Sequence, residues 1–173
     1  MQRTLIGLAA VALLGGCQMF REEGPKATAE LLPTRGNAAT GTASFTQVGD
    51  KVRVHALVSG LKPGAEHGFH VHEVGDCGSG DGLGTKGHFN PYGKPHAHFS
   101  TSERHAGDLP ALKADSNGRA ELSAELDVIT VAAGPASVIG RGLIVHALPD
   151  DYRTQPTGNA GARLACAVIR RAG

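Results

Sequence analysis

Residues 51–59, Lys51-Val-Arg-Val-His-Ala-Leu-Val-Ser59, decide the fold class. Val52, Val54, Ala56 and Val58 fall on every second position. In an extended chain they share one face, and Lys51, Arg53, His55 and Ser59 share the other. Residues 119–127, RAELSAELD, repeat the pattern with Ala120, Leu122, Ala124 and Leu126. Thr40 to Val48 is a weaker version. Lys26 to Leu32, His67 to His72, Gly142 to Ala147 and Ala162 to Arg170 are further strand segments. The breaks between them carry turn chemistry: Val48-Gly-Asp-Lys51, Lys62-Pro-Gly64 and Asp115-Ser-Asn-Gly118. No segment sustains a helical apolar period over three turns. Seven or eight short strands in roughly 145 residues predict an all-β, antiparallel sandwich or barrel.

The chain has 173 residues, the size of one domain. Hydrophobic residues at 40% and charged residues at 19% allow a packed core and argue against general disorder. A net charge of +1 argues against a strongly basic nucleic-acid binder. The 25 glycines fit a turn-rich fold. Nine histidines are many for this length, and three cysteines ask which one differs.

Residues 1–16 read as an export signal: Arg3 gives positive charge, Leu5 to Leu14 is apolar, and small residues follow. The apolar run is too short to span a bilayer, which needs about 20 residues. It ends Leu14-Gly-Gly-Cys17, which resembles the bacterial lipobox. That resemblance makes Cys17 the lipid-modified first residue of the mature chain, with residues 17–26 as a tether and 27–173 as the folded domain. The alternative is a plain cleaved signal with an incidental cysteine. Gln18 after Cys17 leans towards the outer membrane. Removing the signal takes away only Arg3 among charged residues, leaving 16 basic and 16 acidic side chains. Cys77 and Cys166 remain, and export to an oxidising compartment makes them a disulfide pair.

Two stretches break the strand rhythm. Gly75 to Lys113 is long and rich in Gly and His; Pro149 to Gly161 is shorter and of similar character. His70 and His72 lie two apart in a strand pattern, so both imidazoles face one side. His88, His96, His98 and His105 follow in the long loop, with Asp108 three residues after His105. His146 ends the apolar run Leu143-Ile-Val145. Imidazole suits zinc and copper, and an added carboxylate tilts a site towards zinc. These residue types point to one all-imidazole site and one His/Asp site.

Five ordered motifs carry a resemblance: Gly68-Phe-His-Val-His-Glu73, His88-Phe-Asn-Pro91, Arg104-His-Ala-Gly-Asp-Leu109, Val138-Ile-Gly-Arg-Gly-Leu-Ile-Val-His146 and Gly158-Asn-Ala-Gly-Ala-Arg-Leu-Ala-Cys166. Across residues 27–172 the chain resembles the copper–zinc superoxide dismutase family. The resemblance implies a Greek-key sandwich or flattened barrel of about eight strands, with long metal-binding and electrostatic loops. It implies disproportionation of superoxide to dioxygen and hydrogen peroxide, with copper cycling between Cu(II) and Cu(I). His70, His72, His88 and His146 resemble the copper ligands. His88, His96, His105 and Asp108 resemble the zinc ligands, so His88 bridges the two metals. His98 stands near enough to His96 in sequence to compete for zinc. Asp150 matches an aspartate that hydrogen-bonds His70 and His96. Arg163 matches the arginine beside copper that positions the anion. His67 matches a packing histidine, and His55 and Arg141 read as structural.

The segment from Cys77 to His88 is long and the loop after His146 short, as in the bacterial periplasmic branch. The expected setting is therefore the bacterial envelope, facing the periplasm and anchored through Cys17, more at the outer than the inner membrane. The partners are superoxide and the membrane, with no nucleic acid; a homodimer and a monomer both remain open. The competing reading is a non-catalytic copper- and zinc-binding envelope lipoprotein. With no excess charge on the mature chain, steering of an anion falls to local groups: Arg163 first, then Lys86, Lys94 and Arg153 by loop position.

Overall fold

A computed structural model describes residues 23–173. The export-signal segment 1–16 and Cys17 lie outside the described residues. Ten strands follow in order: β1 Glu23–Pro33, β2 Thr40–Val48, β3 Lys51–Ser59, β4 Glu66–His67, β5 Phe69–His72, β6 Leu112–Lys113, β7 Ala120–Leu126, β8 Gly142–His146, β9 Arg163–Val168 and β10 Arg170–Arg171. A single 3₁₀ turn, Leu83–Thr85, is the one helical element among the described residues. No helix there is long and apolar enough to cross a membrane.

The period-2 segments become strands at the expected places. In β3, Val52, Val54, Ala56 and Val58 are buried, while Arg53 and Leu57 are exposed. The β2–β3 turn puts Gly49 at φ +61°, the first central position of a tight hairpin. Gly64 follows Pro63 at φ +69°, with the Ala65 N–H donating to the Lys62 carbonyl, as a type II turn requires. Two boundaries differ from the sequence expectation. β1 begins at Glu23 rather than Lys26, and Gly68 splits the expected 67–72 strand in two. A Cβ at Gly68 would press within 2.8 Å of the Ala160 Cβ, so only glycine lets the β8–β9 loop close over this spot. The short β6, in a stretch expected to lack structure, pairs with β4.

The main sheet is antiparallel and runs β5-β8-β9-β1-β2-β3-β7, with β10 beside β1. The chain leaves β3, crosses to the far edge at β5, returns to β7 beside β3, and crosses again to β8 beside β5. Two such crossings make a Greek key and curl the sheet into a barrel-like wall. Strand β1 joins the halves: Lys26–Leu31 pair with β2, and Leu32 and Pro33 pair with β9. The core between them holds Phe45, Phe69, Leu112, Leu126 and Leu143. Both crossings and the β8–β9 loop converge on the β5–β8 edge, which is where the site lies.

Candidate metal centre

Strand β5 carries His70 and His72 and pairs with β8 on one edge, with Phe69 opposite Val145 and His70 opposite Ile144. Its other edge is taken by the long loop. The Val71 N–H donates to the Gly107 carbonyl at 2.9 Å, and the Phe89 N–H to the Val71 carbonyl at 2.8 Å. These bonds place Asp108 opposite His70 and His88 opposite His72. Gly107 permits the approach, since a Cβ there would fall on the Val71 carbonyl oxygen. A histidine from β8, two from β5 and one from the loop thus meet.

Two groups form, and both are buried: His70, His72, His88 and His146; and His88, His96, His105 and Asp108. Within each, one ligand atom per residue lies within 4.8 Å of all the others. In the second group, Asp108 Oδ1 stands 2.9 Å from His88 Nδ1, 3.0 Å from His96 Nδ1 and 3.6 Å from His105 Nδ1. Ligands about 2.0–2.1 Å from a tetrahedral zinc lie about 3.3 Å apart, so this spacing fits one ion.

Hydrogen bonds decide which nitrogens face the centre. His70 Nε2 meets Asp150 Oδ2 at 2.7 Å, which leaves Nδ1 buried and without a partner among the described residues. His72 donates from Nδ1 to the Lys86 carbonyl at 2.8 Å, and His146 Nδ1 faces the Gly161 carbonyl at 3.2 Å. Their Nε2 atoms then face each other at 3.4 Å with no proton left to share. His88 Nε2 and His105 Nδ1 are also buried and unpartnered. Buried lone pairs aimed at one another are costly unless a cation lies between them. The donor set therefore fits two metals, all-imidazole on one side and His₃Asp on the other.

On the all-imidazole side protonation favours the same use. Burial pushes His70 down to about 4 and His146 down to about 3, and holds His72 well below its ordinary value. These rings stay neutral and keep their lone pairs. Burial also lowers His105. At His96 burial is opposed by hydrogen bonds to Asp108 and Asp150, which together raise it to about 9. Burial would lift both carboxyls, yet their histidine partners hold each well below the usual range. Asp108 Oδ2 is fixed by the N–H groups of Ala97 and His105, both at 3.1 Å. Asp150 spans the groups: Oδ2 takes His70, and Oδ1 takes His96 Nε2 at 2.8 Å and the Tyr152 N–H at 2.7 Å.

Arg163 starts β9 opposite His146. Its NH1 donates to the Gly82 carbonyl and to Thr85 Oγ1, and its NH2 donates to the Lys86 carbonyl at 2.6 Å. It lines a cleft of about 410 Å³ together with His72, His146 and Thr157. The Cys77–Cys166 disulfide closes an 89-residue separation and ties this strand to the metal loop.

His98 stands away from the cluster. Its Nδ1 pairs with Ser100 Oγ at 2.8 Å, and its ring packs on Phe99 and edge-on to Tyr152. His67 is buried behind the site and donates from Nδ1 to the His146 carbonyl at 2.8 Å. His55 faces outward to Glu121, and the Arg141 guanidinium lies over the Phe89 ring. Among the guessed steering groups, Lys94 pairs with Glu103 at 2.6 Å. Neither Lys86, Lys94 nor Arg153 lines the cleft, whereas Arg35 and Asp81 do. Arg35 sits in the β1–β2 turn, where no sequence motif marks it. Gln155 was likewise unmarked: its side chain brackets the His96 backbone.

Residues 39–169 match the family described as copper/zinc superoxide dismutase. The chain is 37% identical over 172 residues to superoxide dismutase (Cu-Zn) 2 of Aquifex aeolicus (strain VF5), covering 97% of this chain and 99% of that protein. It is 42% identical over 135 residues to the superoxide dismutase (Cu-Zn) of Paramecium bursaria Chlorella virus 1, covering 75% of this chain and 71% of that protein. The crystal structure of the clock protein EA4 superposes with a TM-score of 0.76 at 41% identity, covering 84% of this chain and 93% of that chain.

Proposed function

The chain belongs to the copper/zinc superoxide dismutase family, and from that premise we propose which of its side chains carry the reaction and where the protein resides. It is a superoxide dismutase: two superoxide anions and two protons become dioxygen and hydrogen peroxide. Copper, when bound, supplies one-electron chemistry that no side chain offers, and zinc supplies a fixed second cation on a shared ring.

His70 Nδ1, His72 Nε2, His88 Nε2 and His146 Nε2 would hold copper. His88 Nδ1, His96 Nδ1, His105 Nδ1 and Asp108 Oδ1 would hold zinc. What supports this most is the set of buried, unpartnered nitrogens on His70, His88 and His105, each in one of the two groups. Because His88 Nδ1 is committed to the zinc side, a proton can be taken up and released only at Nε2. When that atom is not occupied by copper, it would be the proton carrier to the reduced oxygen species. Asp150 accepts from both His70 and His96, fixes their tautomers, and couples the two sites. Arg163 positions the anion. Three of its five N–H groups are held by Gly82, Thr85 and Lys86, so the fork is fixed and two donors remain for superoxide.

Residues 1–16 act as the export signal, Cys17 carries lipid, and the tether ends where β1 begins at Glu23, so residues 23–26, expected to be tether, belong to the catalytic domain. The protein faces the periplasm on a bacterial envelope, at the outer more than the inner membrane, as a homodimer or a monomer. A disulfide between Cys77 and Cys166 suits that oxidising compartment. Fatty-acid labelling of the intact chain tests the anchor: Cys17→Ser should abolish labelling and release the protein from membranes. Superoxide consumption after loading with copper and zinc, then after chelation, tests the site. Activity should need copper, and His88→Ala should remove it. A correctly metallated protein without such activity would be a non-catalytic metal binder.

A further inference from the structure

The β8–β9 loop meets the zinc-side group at a residue that ligates nothing. The His96 N–H donates to Gln155 Oε1 at 2.8 Å, and Gln155 Nε2 donates to the His96 carbonyl at 2.7 Å. One side-chain amide thus satisfies both backbone groups of one histidine, 59 positions away. No strand is assigned between Tyr92 and Ala111, so His96 has no sheet ladder to hold it. Pro95 before it has no N–H, and the Ala97 N–H is committed to Asp108. Gln155 supplies what a neighbouring strand would otherwise give.

The ring of His96 is held at its far nitrogen by Asp150 Oδ1, while its Nδ1 faces Asp108 Oδ1 across the zinc-side group. These contacts fix the ring only as well as its Cα is fixed. A further contact between the two loops, Tyr152 edge-on to His98 at 4.6 Å, leaves the His96 backbone untouched. Asp150 and Gln155 lie on the same short loop, so one segment holds both the far nitrogen and the backbone of His96.

We propose that Gln155 is a positioning residue: its amide clamps the His96 backbone and thereby holds the His96 ring in its zinc-binding orientation. The inference rests on His96 being a zinc ligand. Groups that orient metal ligands typically change metal affinity about 10- to 100-fold when removed.

The test uses the full metal-loaded chain and two variants. Gln155→Met keeps the length and removes both hydrogen bonds; Gln155→Asn keeps the amide but withdraws it by one methylene. Zinc transfer to a chelating dye should be about 10- to 100-fold faster in both. Copper transfer should change less than zinc transfer, because the clamp reaches the copper side only through Asp150 and His88. In protein carrying cobalt at the zinc position, the visible bands should shift, which a mere loop staple would not cause. Hydrogen exchange at the His96 amide should accelerate. If Gln155→Met does not fold, Gln155→Asn is read in the same way. Unchanged zinc transfer and unchanged cobalt bands overturn the proposal, and so does an equal acceleration of copper and zinc, which marks general loosening. His96→Ala separates the premise. If it leaves zinc binding intact, the ligand assignment falls. If it abolishes zinc binding while the Gln155 variants change nothing, only the clamp falls.

Discussion

At Gly158 the backbone runs at φ +66°, and a Cβ built there would lie on Asp150 Oδ1 and 2.5 Å from His96 Nε2. The bond that couples the two metal groups exists because this residue has no side chain. Gly158→Ala should force Asp150 away from His96 and add backbone strain of about 1–2 kcal/mol. Zinc affinity, measured by competition with a chelator, should fall by about 10- to 100-fold. An unchanged affinity would mean that Asp150 does not orient His96. Arg163 makes a second prediction at this scale. Its anchored fork offers direction as well as charge, and lysine offers only charge. Arg163→Ala should lower the second-order rate with superoxide by about 10- to 100-fold, the worth of charge-assisted hydrogen bonds near 1.5–3 kcal/mol. Arg163→Lys should fall between alanine and the wild type in pulse-radiolysis measurements. Equal rates for the two variants would remove the fixed geometry from the account.

Among the elements, the β5 edge shows what could be read from residues alone. Alternation in residues 51–59 and 119–127 marks β3 and β7 because one face of each is buried and the other wet. His70 and His72 were legible as a pair two positions apart on one face, although β5 is buried on both faces, and the ordered motifs made the rest of both metal groups legible. The two residues of β6 carry no period to detect, and Gln155 and Arg35 act through contacts that no local pattern encodes. The family spacing already favoured His96 over His98, and the fold places His96 in the cluster and His98 away from it. The disulfide belongs to this scale. It joins β9 to the loop whose Gly82, Thr85 and Lys86 hold Arg163. Closing so long a loop stabilises by about 4–5 kcal/mol on the loop-entropy account. Replacing Cys77 and Cys166 together by serine should lower the thermal midpoint by about 10–20 °C for a chain of this size. Metal-loaded activity should drop as Arg163 loosens, and an unchanged midpoint would show that packing alone holds the loop. At the end of the metal loop, buried Arg104 donates to Asp127 Oδ1 at 2.6 Å, which holds that carboxyl below its ordinary value. The pair therefore adds stability above the ordinary aspartate pKa and loses it as pH falls through the lowered one. Asp127→Asn should flatten that acid limb in denaturation curves measured against pH.

On the whole molecule, the near balance of basic and acidic side chains leaves little net charge to draw an anion in, so steering depends on where the charges stand. The charged groups closest to the incoming anion are those at the cleft. Arg163 and Arg35 line it as cations, and Asp81 lines it as an anion, its carboxyl lowered first by Ser79 and the Leu83 N–H and also by Arg35. All of these lie well within a Debye length of one another at low salt, so superoxide meets their sum. Removing one cation or one anion should then move the rate in opposite directions. Arg35→Ala should slow superoxide consumption at low ionic strength, Asp81→Asn should speed it, and the double variant should return close to the wild type. Each difference should shrink as salt is raised, because screening shortens the reach of every group alike. Metal content must stay equal across the set, since neither residue contacts a metal-ligating atom. Rates measured from about 10 mM to about 500 mM salt, where the Debye length falls from about 30 Å to only a few ångströms, should converge. If Arg35→Ala instead lowers the rate by the same factor at every salt concentration, Arg35 acts by shaping the cleft, and Arg163 alone steers the substrate.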